Sequence, residues 1–293
     1  MKVGFIGLGV MGEPMARHLR AAGHDLAVWA RRPASAAALV AEGVPLCATP
    51  AELAARSEVV ITIVTGSADV DALAFGADGL AEGFAPGAIH VDMSTIAPAM
   101  ARSLAERYAL RGIGFVDAPV SGGGQGARDA TLAIMAGAEP EMLERVRPLL
   151  AAMGKRIVHI GPPGAGQVAK ACNQMIMVSA IQACAEAVRL ANAHGVDVAA
   201  VRTALLGGSA ASRVLEVMGG RMVERDFAAG IEARLHHKDF ALLMDEAAKL
   251  GAPLPVAAQV WQQLNALMGA GWGREDTSTL LRVLEAAAPR GMD

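Results

Sequence analysis

The sequence is poor in cysteine. Three cysteines occur among 293 residues, namely Cys47, Cys172 and Cys184. Because their number is odd and their spacing matches neither a disulfide framework nor a metal-ligand set, we expect reduced, buried thiols and no metal site. The first residues enter an apolar strand at once, which leaves no room for a signal peptide and favours a cytoplasmic location.

Aromatic residues and excess charge are also scarce. Aromatic side chains make up 3% of the chain and the formal net charge is −3, so no basic field is available for nucleic acid or a membrane surface. Apolar residues make up 53%, which allows a large core, and the length indicates two domains or one large one. The segment between Lys170 and Glu186 has no charge, but its polar residues on more than one face favour a central buried helix over a membrane span.

A glycine motif follows the first apolar run, Val3–Ile6. Its residues are Gly7, Leu8, Gly9, Val10, Met11 and Gly12. A strand, a three-glycine turn and a helix are typical of dinucleotide binding, because the first glycine permits the turn and the second lets the backbone approach a pyrophosphate. The third glycine lets the helix pack closely on its strand. The alternative interpretation is a glycine-rich turn without a ligand.

The end of the second predicted strand, Leu26–Trp29, bears on the choice of cofactor. An NAD site usually has Asp or Glu there to bind the ribose hydroxyls, whereas Ala30, Arg31 and Arg32 follow in this chain. A guanidinium pairs with a 2′-phosphate that a carboxylate would repel. The sequence therefore predicts NADP(H), with NAD(H) as the alternative and Arg31 as the first contact before Arg32, unless both arginines are solvated loop charges.

Short apolar strands alternate with helical stretches in the first half of the chain. The predicted strands are Val3–Ile6, Leu26–Trp29, Val59–Val64, Ala88–Asp92, Gly114–Pro119, Thr131–Ala136 and Ile157–Ile160. Predicted helices between them include Pro14–Ala22, Ser35–Glu42, Pro50–Arg56 and Ala97–Arg111. This alternation predicts an α/β domain over residues 1–163, with the doubly wound parallel sheet of a Rossmann fold.

The second half of the chain has only helical patterns. A cluster of Gly and Pro at 161–166 predicts a domain boundary, and a long helix is expected from Gln167 to His194 with Gly195 as its stop. Further helices are predicted over Val198–Leu206, Arg213–Met222, Lys238–Leu250, Pro255–Ala270 and Thr277–Ala287. Residues 164–293 are therefore predicted to form an all-α domain, whose apolar helix faces indicate a homodimer or homotetramer.

A nicotinamide enzyme also needs a group that gives or takes a proton. The single tyrosine, Tyr108, has glycine at position 112, so a Tyr-x-x-x-Lys pair is absent, and no zinc-ligand set is present. The histidines are interpreted as structural or solvated, with His236-His237 in a supporting role at most. Lys170 remains, at the start of the uncharged helix with Asn173 on the same face. The alternative is an ordinary lysine whose amine reaches solvent.

Five segments, taken together and in this order, resemble the motifs of the β-hydroxyacid dehydrogenase family. That family includes 3-hydroxyisobutyrate dehydrogenases and tartronate semialdehyde (2-hydroxy-3-oxopropionate) reductases, and the likeness spans essentially the whole chain. The segments are Gly4–Ala16, Asp92–Pro98, Asp117–Gly123, Gly164–Gln174 and His237–Phe240. The resemblance implies an oxidoreductase with a Rossmann domain and a C-terminal domain like that of 6-phosphogluconate dehydrogenase.

The resemblance also implies roles for individual residues. The family's lysine at the position of Lys170 is the general acid/base, so this role is expected of Lys170. Ser121, Gly122 and Gly123 are expected to hold the substrate carboxylate through hydroxyl and amide donors. Asn173 is expected to fix the reacting oxygen.

Further contacts with the cofactor are implied as well. Val64, Thr65 and Thr95 are expected to bind it, with Thr95 on the nicotinamide side. Lys238, in the Lys-Asp element, is expected to reach cofactor or substrate. The alternative for Lys238 is a cation on a helix surface.

The substrate implied by the resemblance is a short carboxylated aldehyde or hydroxy acid. Asn173-Gln174 departs from the Asn-Asn pair of many relatives and is similar to tartronate semialdehyde reductases, as is the segment 207–212. The arginine pair is similar to NADP-using glyoxylate and succinic semialdehyde reductases. We predict reduction of tartronate semialdehyde, with 3-hydroxyisobutyrate, succinic semialdehyde or glyoxylate as alternatives. An NADP(H)-sensing module without turnover is the alternative of another class.

Overall fold

The computed structural model describes residues 1–287, and the chain divides into two compact units. The first unit is Met1–Lys170 and the second begins at Ala171. The division falls after residue 170 because the first turns of the long helix contact the first unit. Gly and Pro residues in a sequence indicate only where a helix or strand is interrupted, and not to which unit the next helix belongs. The boundary between residues 163 and 164 stays a prediction.

The first unit contains a sheet with helices on both of its faces. Its strands are β1 (Lys2–Ile6), β2 (Asp25–Trp29), β3 (Val59–Thr62), β4 (Ile89–Asp92), β5 (Gly114–Asp117), β6 (Val120–Ser121), β7 (Leu132–Gly137) and β8 (Gly154–Gly161). Its helices are α1 (Gly12–Ala21), α2 (Ala37–Ala41), α3 (Pro50–Ala55), α4 (Ser67–Phe75), α5 (Leu80–Gly83), α6 (Pro98–Ala109), α7 (Gly123–Arg128), α8 (Pro140–Met153) and the start of α9 (Ala165–Ala193). A 3₁₀ turn, Pro33–Ala36, precedes α2.

The sheet is parallel except around β7. The strand order is β2-β1-β3-β4-β5-β7-β6, and β8 pairs with the other edge of β7. The first five strands in that order are mutually parallel. Both β5 and β6 are antiparallel to β7, in one continuous register that pairs Asp117 with Gly137 and Ser121 with Ala133. The predicted parallel sheet is therefore confirmed over five strands, and at this edge one segment, interrupted at Ala118-Pro119, supplies two short strands that are antiparallel to β7.

Buried strands explain why the first half of the sequence has nearly continuous apolar runs. Alternate residues of a strand point to opposite faces: Val59 and Ile61 enter one core cluster and Val60 enters another. The first cluster is covered by α1 and α8, and the second by α3, α4 and α6. A sheet covered on both faces needs apolar residues at every position, as the sequence has.

The described residues of the second unit form helices joined by loops, with no strand among them. After α9, its helices are α10 (Val198–Leu206), α11 (Gly220–Glu224), α12 (Ala233–Leu250), α13 (Pro255–Gly269) and α14 (Leu280–Ala286). They enclose one apolar cluster that includes Val178, Phe240 and Leu264. Gly195 adopts φ +64°, the left-handed conformation expected of a residue that ends a helix.

Three predicted helices of the second unit differ most from the observed elements. The helix predicted over Arg213–Met222 is a π-helical segment, Leu215–Gly219, followed by α11. The helix predicted to begin at Lys238 begins at Ala233, and the last one begins with a 3₁₀ turn, Thr277–Thr279. The two-part architecture, a Rossmann fold followed by an α-helical part, is confirmed. Within residues 1–287, no helix combines the length and the apolar character that a membrane crossing requires.

Candidate active site

The sequence motifs of the first unit meet at one edge of its sheet. The register pairs Ile6 with Thr62, Thr62 with Asp92, and Asp92 with Asp117. The carboxyl ends of four parallel strands therefore lie side by side, and the glycine motif leaves the same edge after β1. In open α/β sheets, ligands bind outside the carboxyl ends of the strands, so this edge is the candidate cofactor site.

Two of the three motif glycines are required by close contacts within the protein's own backbone, whether or not a ligand is bound. Gly7 has φ +102°, and a Cβ at this residue would lie 2.0 Å from the carbonyl oxygen of Ile63. A Cβ on Gly12 would lie 1.9 Å from the carbonyl oxygen of Gly7. Gly9 differs, because the described residues place no neighbouring atom within 4 Å of its Cβ position. The open backbone at Gly9 fits the close approach of a pyrophosphate.

The other motif residues anchor the turn and leave the start of α1 accessible. Leu8 is buried and Met11 packs against the same core, whereas Val10 is 70% exposed. Among the described side chains none caps the first turn of α1. The N–H of Glu13 donates to the carbonyl oxygen of Gly9 at 3.0 Å, and the partial positive charge of the helix N-terminus favours an anion at this turn. The turn therefore has the geometry and the partial charge of a phosphate-binding site.

The two arginines after β2 lie at the surface. Arg31 donates from Nη1 to Oδ1 of Asp69 on α4, at 3.1 Å, and 78% of its side chain is exposed. Arg32 is exposed and directly precedes the 3₁₀ turn. The structure thus places both guanidinium groups within reach of solvent near the end of β2, and Asp69 holds one of them.

A buried polar network supports the loops after β3 and β4. Oγ1 of Thr62 donates to Oδ1 of Asp92 at 2.7 Å and pairs with Nε2 of His90 at 2.8 Å. Oγ of Ser94 donates to the same Asp92 oxygen at 2.7 Å and accepts from the backbone N–H of Val64 at 2.8 Å. Burial lowers the pKa of His90 to about 3, which keeps this ring neutral. The network fixes the backbone at Val64, a predicted cofactor contact.

The start of α9 is attached to the end of β5. Oδ1 of Asp117 accepts from the N–H of Gly164 at 2.6 Å, and its Oδ2 accepts from the N–H of Gln167 at 2.9 Å. A Cβ on Gly166 would lie 2.4 Å from the carbonyl oxygen of Met135, so the small residue permits a close approach of the helix to the sheet. Burial raises the pKa of Asp117 to about 7, a rise that the nearby Asp92 reinforces and the two backbone hydrogen bonds oppose.

Lys170 lies one turn further along α9 and its amine does not reach solvent. The residue is 7% exposed, and Nζ donates to the carbonyl oxygen of Val120 at 2.8 Å. Val120 is the first residue of β6, directly before Ser121. The structure therefore brings the amine of Lys170 to the strand that leads into the predicted carboxylate-binding loop.

The loop after β6 has the backbone conformation that its glycines allow. Gly122 has φ +137° and Gly123 has φ +62°, both in the region that favours glycine. Ser121 is partly exposed at the end of β6, and Gly123 begins α7. Hydroxyl and amide donors thus follow one another along a short turn that starts beside the Lys170 amine.

In the second unit, the predicted residues Asn173 and Lys238 belong to one hydrogen-bonded chain. Nδ2 of Asn173 donates to Oε1 of Gln174 at 2.9 Å, and Nε2 of Gln174 donates to Oδ2 of Asp239 at 2.5 Å. Nζ of Lys238 pairs with the other Asp239 oxygen at 2.9 Å. Gln174 and Asp239 are buried, so α9 and α12 are joined by polar contacts that orient both predicted ligand-binding side chains.

The neighbouring histidines have structural partners. Nδ1 of His236 pairs with Oγ1 of Thr277 at 2.7 Å, in a buried position. Nε2 of His237 pairs with Oδ1 of Asn265 at 2.9 Å, and its ring stacks on Trp261 with centroids 4.4 Å apart. These contacts fit the supporting role expected from the sequence.

One expectation about cysteine is wrong. Cys47 and Cys184 are buried, whereas Cys172 is exposed. Cys172 lies two residues after Lys170 on α9, and residues two positions apart on a helix point in different directions. The stretch is apolar in composition, but one of its faces is exposed and carries Cys172. The described part of the chain contains no cluster of three or more His, Cys, Asp or Glu residues that could hold a metal ion.

Sequence reasoning missed the polar residues that support the site. Thr62, Asp92 and Asp117 each end an apolar strand, and Ser94 follows two residues after Asp92. A polar residue at the last position of a buried strand is the signal that would have marked them, because a parallel sheet aligns these positions at its carboxyl edge.

Two family models match the chain, one in each part. Residues 2–161 match the NAD binding domain of 6-phosphogluconate dehydrogenase. Residues 164–284 match the model described as NAD-binding of NADP-dependent 3-hydroxyisobutyrate dehydrogenase. Together the two matches include almost the whole chain.

Individual relatives are similar over nearly their full length. The chain is 39% identical over 288 residues to 2-hydroxy-3-oxopropionate reductase of Escherichia coli strain K12, covering 98% of each protein. It is 36% identical over 263 residues to 3-hydroxyisobutyrate dehydrogenase of Pseudomonas aeruginosa, covering 87% of this chain and 88% of that protein. The structure of Mycobacterium tuberculosis 3-hydroxyisobutyrate dehydrogenase with L-serine has a TM-score of 0.89 at 32% identity, covering 97% and 98% of the two chains.

Proposed function

Because the chain belongs to the β-hydroxyacid dehydrogenase family and is an NAD(P)-dependent oxidoreductase, we propose that it reduces a short 3-oxo acid to the 3-hydroxy acid. The proposed substrate is 2-hydroxy-3-oxopropionate, with Lys170 as the general acid/base. The similarity to the Escherichia coli enzyme of that name supports this choice of substrate, as does the Asn173-Gln174 pair.

The burial of Lys170 is the observation that carries the proposal. Lys170 is 7% exposed and its Nζ donates to the Val120 carbonyl, and burial of such a group is costly unless it has hydrogen-bond partners. Its position beside the start of the Ser121 loop supports the proposed role as proton donor, because the proposed carboxylate-binding hydroxyl and amides follow directly. A surface lysine without a role in the site would instead extend its amine into water.

In the proposed mechanism each residue has one task. The Ser121 hydroxyl and the amides of Gly122 and Gly123 bind the substrate carboxylate, which orients the aldehyde. Asn173, on the next turn of α9, holds the reacting oxygen. The nicotinamide supplies the hydride when it is bound. Nζ of Lys170 gives a proton to the carbonyl oxygen as the alcohol forms, and takes that proton back in the oxidation.

We assign the cofactor preference to NADP(H), with NAD(H) as the weaker cofactor. Gly7–Gly12, Val64, Thr65 and Thr95 are the proposed contacts, together with Lys238 from the second unit. No acidic residue ends β2, where Ala30, Arg31 and Arg32 follow Trp29. An exposed guanidinium at this position favours a 2′-phosphate through charge-assisted hydrogen bonds.

A substrate panel with both reduced cofactors tests the function. We expect the highest kcat/KM with NADPH and 2-hydroxy-3-oxopropionate, above succinic semialdehyde and glyoxylate, and above 3-hydroxyisobutyrate in the oxidative direction. A preference for one of the other substrates would overturn the choice of substrate within the family. Tight NADPH binding without turnover of any compound would favour a nucleotide-sensing module instead.

The proposal extends to the assembly and location of the enzyme. On the sequence arguments we place it in the cytoplasm as a homodimer or homotetramer. Light scattering coupled to size-exclusion chromatography measures the mass directly, and a single peak at about 30 kDa per particle would contradict the expected assembly.

A further inference from the structure

Gln167 is a buried residue of α9 for which the proposed reaction gives no role. It is 1% exposed and lies three residues before Lys170, hence on the same face of the helix. Its Oε1 accepts from the backbone N–H of Ile96 at 3.1 Å, and its Nε2 donates to the carbonyl oxygen of Ser94 at 2.9 Å. Both ends of the amide are therefore bonded to main-chain groups on either side of Thr95.

These two hydrogen bonds take the place of the backbone hydrogen bonds that a neighbouring strand would provide. The segment between β4 and α6 contains Ser94, Thr95 and Ile96 and has no regular secondary structure. Buried backbone groups outside regular structure must find other partners, and one planar amide supplies a donor and an acceptor in a fixed relative orientation. The side chain of Gln167 thus holds the backbone on both sides of Thr95, beside the bonds from Ser94 to Asp92 and from the Ala97 N–H to Ser67.

The main chain of Gln167 is held independently. Its N–H donates to Oδ2 of Asp117 at 2.9 Å, which ties this turn of α9 to the end of β5. Gln167 consequently joins two neighbouring loops of the sheet edge, one through its backbone and the other through its side chain. One helical turn later the same helix presents the amine of Lys170.

We infer that Gln167 is a positioning residue, which holds the backbone around Thr95 in register with the helix that carries Lys170. The inference rests on the proposed function for the roles of Thr95 and Lys170. Proton transfer and cofactor orientation require a constant separation of their groups, and a displacement of about 1 Å costs on the order of 10²-fold in rate. A single side chain that bonds both segments is a direct means of keeping that separation.

The test replaces Gln167 by methionine, which has a similar length and volume but cannot make either hydrogen bond. The matched control is Gln182→Met on the same helix: Gln182 is also buried, and its Nε2 bonds to Glu186 rather than to a loop of the sheet edge. The first measurement is amide hydrogen exchange in the cofactor-free protein. We expect exchange at the Ile96 amide to rise at least about tenfold in Gln167→Met and to stay within about twofold in the control.

The second measurement is the single-turnover rate of nicotinamide oxidation at saturating substrate. We expect a loss of about 10- to 100-fold in Gln167→Met, with a smaller change in the substrate KM, and no comparable loss in Gln182→Met. A merely structural role would lower the melting temperature without this split between rate and KM. Unchanged exchange at Ile96, or an equal loss of rate in the control, would overturn the inference.

A second variant keeps the test decisive where Gln167→Met fails to fold. At a pH at which the introduced carboxyl is ionised, Gln167→Glu retains the acceptor for the Ile96 N–H and loses the donor to the Ser94 carbonyl, so the single-turnover loss is expected there while Ile96 stays partly protected. Full protection and wild-type rate in this variant would contradict the inference. Because the exchange measurement uses neither cofactor nor substrate, its result is independent of whether the wild-type protein reduces the proposed aldehyde.

Discussion

Asp117 should make a contribution to the pH dependence of stability whose sign is opposite to that of the other strongly shifted group of the first unit, the buried His90. Burial raises the pKa of this carboxyl from 3.8 to about 7, so the folded protein binds more protons than the unfolded chain between these values. The contribution of Asp117 to the free energy of unfolding therefore falls as the pH rises from about 4 to about 7 and is level above. Its effect is isolated by comparison with a variant that lacks the carboxyl, because His90 contributes equally to both proteins. The difference between the two pKa values corresponds to about 4 kcal/mol, at 1.36 kcal/mol for each pKa unit.

Asp117→Asn removes this dependence, because an amide of nearly the same size does not ionise. Urea unfolding at several pH values measures the effect, with Trp29 as the single tryptophan of the protein in a Trp261→Phe, Trp272→Phe background. From pH 5 to pH 8 the wild type should lose about 3 kcal/mol of unfolding free energy relative to Asp117→Asn. Asp129→Asn, at an exposed position of the same unit, serves as the control and should leave the slope unchanged.

Parallel stability curves for the wild type and Asp117→Asn would refute this reasoning. Such a result would mean that the bonds from the Gly164 and Gln167 amides offset the burial of the carboxylate. A loss of stability in acid that is steeper in the wild type than in Asp117→Asn would show that these bonds outweigh burial, because a carboxylate stabilised by these donors gives the opposite sign of pH dependence.

The remaining predictions concern the candidate active site. Gly9→Val should abolish cofactor binding with little change in melting temperature, whereas Gly7→Val should unfold the protein because its side chain would meet backbone 2.0 Å away; calorimetry and cofactor fluorescence separate the two. Lys170→Ala should lower kcat by about 10²- to 10⁴-fold while NADPH still binds, and near-normal kcat at neutral pH would contradict the mechanism. Ser121→Ala should mainly raise the substrate KM, as steady-state kinetics would show, and an effect confined to kcat would argue against carboxylate binding. Arg31→Ala should shift the ratio of NADPH to NADH KM values toward NADH, and an unchanged ratio would remove this residue from cofactor selection.

Much of the framework follows from local sequence patterns. The apolar run before Gly7, the alternation of strands and helices, and the absence of strand patterns after Gly166 were sufficient to predict both folds. Most strand and helix bounds differ from the predicted ones by only a few residues, as for α10, found over Val198–Leu206 as expected. Local patterns did not reveal β6, because two residues after a proline have no periodicity, and they did not reveal that β7 is antiparallel to β5.

The supporting contacts of the site are a different matter, because their partners are far apart in the chain. Asp117 bonds to residues 47 and 50 positions later, and Gln174 bonds to Asp239, 65 positions away. A buried polar side chain gains stability only when a partner of the right kind meets it. The residues next to either partner in the sequence do not indicate which distant residue will contact it.

The sequence alone determined the class of ligand, since a glycine turn between a strand and a helix is a local arrangement whose backbone chemistry suits a phosphate. Only the tertiary structure decided whether Lys170 is a surface cation or a buried donor, because that choice depends on the strand β6 that its amine meets. The same holds for Gln167, whose partners lie 71 and 73 residues away. Local backbone geometry depends on neighbouring residues in the sequence, whereas burial and the choice of hydrogen-bond partners depend on the tertiary fold.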